Sequence, residues 1–190
     1  MKIRNFVFCL LTFGFCFCGT KSNYQSIVDQ ELATGIRNDS LFLGLSLGME
    51  EKEFFATCWD LNKQNITKEG YSNMTVQLAL QGLQHNGYYD FYPFFENKKI
   101  KTMTGFTHYK AWSPWRKDLW SDHLIEDTRE KFENWFRGNK FFSIKSPTRG
   151  KAYVKIDGNR RIVLYIEDDQ KVNVLISDLT NLDDILKPKG

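Results

Sequence analysis

The chain has 190 residues, and its 26 Lys and Arg against 23 Asp and Glu give a formal net charge of +3. Setting aside Lys2 and Arg4 leaves 24 basic against 23 acidic side chains, a net of +1, which removes the electrostatic motive for a nucleic-acid partner. A body of about 170 residues suffices for one substantial hydrophobic core, or two small ones sharing an interface, so disulfides are not needed to hold it.

The N-terminus is the most informative stretch. Lys2 and Arg4 precede an apolar run from Phe6 to Phe17, which closes on Cys18 and gives way to the polar Gly19-Thr20-Lys21-Ser22-Asn23. Two cations followed by so short an apolar run read as an export signal, since a helix crossing a bilayer needs about 20 apolar residues. A cysteine at the end of that run, followed by small and polar residues, resembles the bacterial lipoprotein signal, which implies that Cys18 is acylated and becomes the mature N-terminus. Ordinary cleavage after a small residue, with Cys16 and Cys18 or Cys18 and Thr20 at the −3 and −1 places, stays open. Cys9 and Cys16 also lie in the leader, which leaves Cys58 in the body. In the apolar segment Phe54 to Trp59, with no histidine nearby, Cys58 reads as a buried, inert thiol.

Residues 19–40 are polar and aperiodic apart from Ile27-Val28 and Leu32, and they read as a spacer. A first α+β unit is expected over 41–115. Glu50, Glu51 and Glu53 would lie over the positive end of a starting helix. Phe54, Cys58 and Leu61 then recur at i, i+4, i+7, with Phe55 and Trp59 beside them, so one broad apolar face runs to about Gln64. Beyond Gly70 the period changes to two: Val76, Leu78 and Leu80 form a strand, and residues 88–109 form a hairpin turning at Glu96-Asn97-Lys98-Lys99.

A second α+β unit is expected over 116–182. Ser121 is the expected N-cap of a helix whose stripe is Leu124, Ile125, Thr128, Phe132, Trp135 and Phe136, ending at Gly138. Strands follow at Phe141–Lys145, Ala152–Ile156, Arg161–Glu167 and Val172–Leu179, with an Asp157-Gly158-Asn159 turn between the second and third. Residues 183–190 read as a tail. The whole predicts an α+β fold with antiparallel sheet and two main helices packed on one face, and the repeated order of elements suggests two tandem α–β modules.

The sequence offers few candidates for chemistry. His85, His108 and His123 are isolated, and none stands at zinc-ligand spacing from another histidine or from Cys58. Nucleophile elbow, phosphate loop and dinucleotide fingerprint are missing from the sequence, so no catalytic residue, metal or cofactor is assigned. Residues 109–120 are less bland: Tyr109, Trp112, Trp115 and Trp120, beside Arg116, occupy a connection with neither helical nor strand periodicity. Large rigid aromatics next to arginine dominate binding hot spots, so these five residues are the candidate ligand-binding set. The competing reading packs Trp112 and Trp115 over the sheet, with Pro114 fixing the bend.

Gly48-Met49 followed by acidic residues and an apolar helix, behind a lipoprotein-like signal and a polar spacer, resembles the small outer-membrane lipoproteins of the BamE (SmpA) kind. Two such modules in tandem are similar to the β-lactamase inhibitor protein architecture. The resemblance covers residues 48–63 and implies a non-catalytic envelope protein that binds other proteins through its sheet or loops. The expectation is therefore an exported, lipid-anchored interaction protein of the periplasm or outer membrane, not an enzyme. Its partner would be an envelope protein, and its membrane contact the lipid anchor alone. Simple secretion is the alternative location, and a glycan- or peptidoglycan-binding module using the loop tryptophans is the alternative function.

Overall fold

The computed structural model describes residues 23–70, 74–146 and 149–181. Among these, three α-helices, α1 (Asn23–Ala33), α2 (Glu51–Lys63) and α3 (Ser121–Trp135), accompany eight strands. The strands are β1 (Thr67–Glu69), β2 (Val76–Leu80), β3 (Gly87–Glu96), β4 (Lys99–Tyr109), β5 (Phe142–Ser146), β6 (Gly150–Asp157), β7 (Arg160–Ile166) and β8 (Lys171–Asp178). They build one antiparallel sheet in the order β1-β2-β3-β4-β8-β7-β6-β5. Two runs of hairpins thus start at opposite edges and meet in the centre, where β4 pairs with β8. The α+β class is as the sequence predicts, with one shared sheet.

The β3–β4 hairpin turns on Asn97 and Lys98, both at positive φ (50° and 60°), the two-residue geometry whose twist matches that of paired strands. One face of the sheet carries the larger core. There Tyr89, Phe91, Met103, Ile162, Val174 and Ile176 meet Leu124, Ile125 and Phe132 of α3. Gly105 makes this packing possible: a Cβ at that position would stand 2.3 Å from the Asp90 carbonyl oxygen and 2.7 Å from a Tyr89 ring carbon.

Two helix details differ from expectation. Ser121 is the first helical residue and not the cap. The chain enters α3 from an extended Trp120 with no side-chain cap bond, and the Ser121 amide donates to the Asp169 carbonyl at 3.0 Å. The β7–β8 turn supplies the acceptor that a capping side chain would otherwise provide. In α2 only Phe54 is fully buried, packing edge-on against Tyr92 and Phe95, where β3 runs on past its last β2 partner, Phe91. Phe55 and Trp59 remain 48% and 64% exposed, because the strand beside them, β1, is three residues long and covers little.

The segment expected to be a spacer contains α1. Tyr24, Ile27, Val28 and Leu32 fall at i, i+3, i+4, i+8, a narrow apolar stripe that packs on Ala152, Val154, Ile156 and Val163. Side chains alternate faces along a strand, and Tyr153 belongs to the larger core, so α1 covers the face opposite α3. The sequence reading missed it because four large apolar residues in eleven make a helix only when a distant strand offers them a surface.

A polar network fastens the stretch after α1. The Asn38 amide donates to Asn159 Oδ1 at 2.6 Å, Asn38 Nδ2 donates to the Asp157 carbonyl at 3.1 Å, and Arg37 pairs with Asp178 at 2.9 Å. Beneath it the Asp157 carboxylate receives Lys155 at 2.8 Å and Arg160 at 3.4 Å, all three side chains being buried. Burial pulls the Arg160 guanidinium below its ordinary pKa, and Asp157 works against that shift.

Candidate functional site

Cys18 lies outside the described residues. The loop between β4 and α3 separates the other five predicted residues into three kinds. Tyr109 turns inward: it is buried, and its hydroxyl donates to Asp127 at 2.8 Å, burial first and this bond second raising its pKa. Trp112 and Trp120 stack on each other at 6.4 Å, the Trp120 indole N–H donates to the Ser113 carbonyl at 3.2 Å, and Lys117 lies over the Trp120 ring. Trp115 is 90% exposed at the loop tip. Beside it Arg116 pairs with Asp118 through Nε at 3.1 Å, and chiefly this contact holds the Asp118 carboxyl down at about 2. The reading that packs both Trp112 and Trp115 fails at Trp115, which stands in solvent at the loop tip, whereas Trp112 is half-buried against Trp120.

A larger surface escaped the sequence reading. On the sheet face opposite α3, the α1 stripe reaches as far as Leu175 on β8, and the β3–β4 side of that face carries Tyr88, Phe106 and His108 partly open to solvent, with Thr104 exposed. One cross-strand row runs Lys68, Gln77, Asp90, Phe106, Asn173, Tyr165 from β1 to β7. Three rings on this face each carry a cation: Lys68 Nζ is 4.8 Å from the Tyr88 centroid, Lys171 Nζ 4.9 Å from Phe106, and the Arg149 guanidinium 4.3 Å from Tyr165. The stems of such side chains cover apolar area while their heads stay at the surface.

Asp90 anchors the middle of the row. It is fully buried and accepts from Gln77 Nε2 at 3.0 Å, from Thr75 Oγ1 at 3.3 Å and from His108 Nε2 at 2.9 Å. Gly70 lies directly over it, since a Cβ there would stand 2.3 Å from Asp90 Oδ1. The other His108 nitrogen, Nδ1, is 3.1 Å from the Tyr109 carbonyl oxygen. With both ring nitrogens facing oxygen acceptors, His108 is arranged as a strut and not as the base of a nucleophile. No sequence signal announces this cluster, because it depends on the register of three strands.

Beside Phe106, in the interior of the row, a cleft of about 240 Å³ opens between Phe106, His108 and Lys171 of the sheet, Trp112 of the loop, and Gln170 of the β7–β8 turn. The two surfaces named in advance, sheet and loop, are therefore contiguous. The Trp112 indole N–H is buried without a hydrogen-bond acceptor among the described residues.

Comparison with family models, curated proteins and solved structures finds no match to this chain. Among the described residues, no group of three or more His, Cys, Asp or Glu side chains is placed to hold a metal ion. Cys58 is half-buried on α2, and burial pushes its thiol up to about 11, far from a reactive thiolate. None of the helices described is long and apolar enough to cross a membrane. A second groove, shallow and beside β1, is lined by Phe55, Cys58 and Trp59 of α2 with Val76 of β2, Phe55 and Trp59 being exposed.

Proposed function

We propose that the chain is an exported, lipid-anchored interaction protein of the cell envelope, not an enzyme. It docks another protein on the β1–β4 and β8 part of the sheet face opposite α3, with Trp112 and Trp115 at its border. The observation that carries this reading is the asymmetry of that face: α1 and the smaller core close one part, while the rest presents partly exposed rings with cations laid over them. Aromatic and cationic groups left at a surface by an otherwise well-filled sheet are what a protein-binding face requires. The export and anchoring half of the proposal rests on Lys2, Arg4, the apolar run and Cys18.

The finer architectural reading, tandem α–β modules with α2 and α3 on one face, belongs to the same proposal. It is supported by the shared core of Phe54 and Phe132 and by a strand order in which each half contributes four consecutive strands. The BamE-like resemblance implies the same kind of protein. A glycan platform finds less support, because it needs several rings presented together and, of the loop tryptophans, Trp115 is the one fully presented.

Two experiments test the proposal. Mass spectrometry of the native N-terminus is expected to find a diacyl- or triacyl-modified Cys18. A photo-crosslinking amino acid placed at Thr104, on the open face, is expected to give a discrete protein adduct in cells, and the same group at Glu130, on the exposed side of α3, none. Equal labelling from both positions, or from neither, refutes the docking face.

A further inference from the structure

We infer that the groove between α2 and β1 takes an extended peptide segment of a partner, which pairs with β1 as an added strand and brings a basic side chain to Glu69. This surface is separate from the docking face proposed above. The phase of the backbone is the first argument. The Gly70 amide donates to the carbonyl of Thr75, the residue opposite it, at 2.9 Å, so two residues back Lys68 and Gln77 form the bonded pair. Thr67 and Glu69 therefore turn their N–H and C=O away from β2. Asn62 Nδ2 donates to the Thr67 carbonyl at 3.3 Å, while the Thr67 N–H and both backbone groups of Glu69 have no partner among the described residues. The exposed Glu69 thus ends the sheet with one donor and one acceptor side by side, which is what strand addition uses.

The wall facing this edge is the second argument. Phe55, Cys58, Trp59 and Asn62 recur at i, i+3, i+4, i+7 and line one side of a groove of about 390 Å³, with β1 on the other. An edge that is only blunted needs no apolar wall beside it, yet Phe55 and Trp59 are 48% and 64% exposed. Side chains of an added strand alternate, so every second one meets these rings. The two walls also match in length: Phe55 to Asn62 rises about 10 Å along the helix, and the three residues of β1 cover about 10 Å. Contact over so short a length falls well under the roughly 1,200–2,000 Å² that specific interfaces between folded partners bury, which favours a linear segment over a second copy of the chain. Charge is the third argument. Lys68 lies over Tyr88, and Lys63 is held by Asp60 at 3.6 Å and by the Trp59 ring at 5.4 Å, whereas the Glu69 carboxylate has no partner among the described residues. A Lys or Arg on the incoming strand supplies one.

The test pans a random twelve-residue peptide library displayed on phage against the full chain. Enriched sequences are expected to alternate apolar with other residues and to carry Lys or Arg. A labelled synthetic copy of the most enriched one is expected to bind in fluorescence anisotropy, and Glu69→Pro to weaken it at least about tenfold, since proline removes the outward N–H, leaves the β1–β2 bonds in place and is tolerated on an edge strand. Trp59→Ala, at an exposed position, should weaken it at least about fivefold. A readout that needs no protein variant is N-methylation of alternate peptide amides: one phase should abolish binding and the other leave it within about threefold, because only every second N–H faces β1. The inference is overturned by no enrichment, by enriched sequences without alternation or without basic residues, or by equal loss from both methylation phases. It falls equally if Glu69→Pro, with unchanged circular dichroism, binds within about twofold of the parent. Self-association in sedimentation that Glu69→Pro removes would make a second copy the occupant, and it too refutes the partner segment.

Discussion

The buried charges around Asp157 give the sharpest test of the fold. Asp157→Asn keeps the size of the side chain and the acceptor that receives the Asn139 amide at 2.7 Å, but it strips the counter-charge from Lys155 and Arg160, both buried. Breaking a buried pair while its partner stays costs about 3–5 kcal/mol. Each cation here retains one carbonyl, Asn139 for Lys155 and Ser40, at 2.8 Å, for Arg160, which sets the expectation at the lower end, about 3 kcal/mol. For a chain of this size that corresponds to a fall of roughly 6–12 °C in Tm. Urea unfolding followed by circular dichroism measures it, and Lys155→Met completes a double-mutant cycle. Added to Asp157→Asn, it removes an uncompensated ammonium group and is expected to return about 1–2 kcal/mol, whereas alone it destabilises. A loss below about 1 kcal/mol for Asp157→Asn, or a Lys155→Met effect equal in both backgrounds, refutes the reasoning.

The loop tryptophans should separate by role. Trp115→Ala is expected to leave Tm within a degree or two, while Trp120→Ala, which loses the stack on Trp112 and the bond to Ser113, costs about 2–4 kcal/mol in a urea titration. Acid sensitivity follows from Asp178 and Glu133. At Asp178, burial raises the carboxyl pKa, but bonds from Thr180, Arg37 and Asn159 outweigh it and hold the net value low; at Glu133, Lys140 is the main cause of the lowering. A carboxyl depressed in the folded state stabilises fully above its unfolded value and loses that contribution as pH falls through the folded one. Tm should therefore be flat near neutrality and drop below about pH 4, with Asp178→Asn flattening part of that drop in a pH series of thermal melts. Cys58 should react with iodoacetamide at pH 8 much more slowly than a free cysteine, as followed by intact mass, because its thiol titrates at about 11.

What could be read from the residues alone was whatever local chemistry decides. The β3–β4 hairpin was legible because alternating aromatics flank a four-residue polar turn. The α3 stripe was legible because one face repeats for four turns, and the β6–β7 turn because Asp-Gly marks it. Elements that exist only through a distant surface were not legible: α1 needs β6, more than a hundred residues away, and β1 is three residues recognised only by pairing with β2. The site behaved likewise. Composition pointed to residues 109–120, yet whether a tryptophan there is packed or presented is fixed by Trp120 meeting Trp112 and Ser113. The face with Asp90 at its centre comes from a register across β2, β3 and β4 that no spacing rule contains.

The seam between β4 and β8 bears on how such a chain is made. β8 is the last strand described, and it fills the middle of the sheet, so the β1–β4 strands wait with an open inner edge until Lys171–Asp178 has emerged. Contacts of that reach close slowly. On the export route proposed above the delay would be useful: a precursor that stays unlocked until β8 arrives remains threadable through a translocation channel, and acquires its finished shape on the other side.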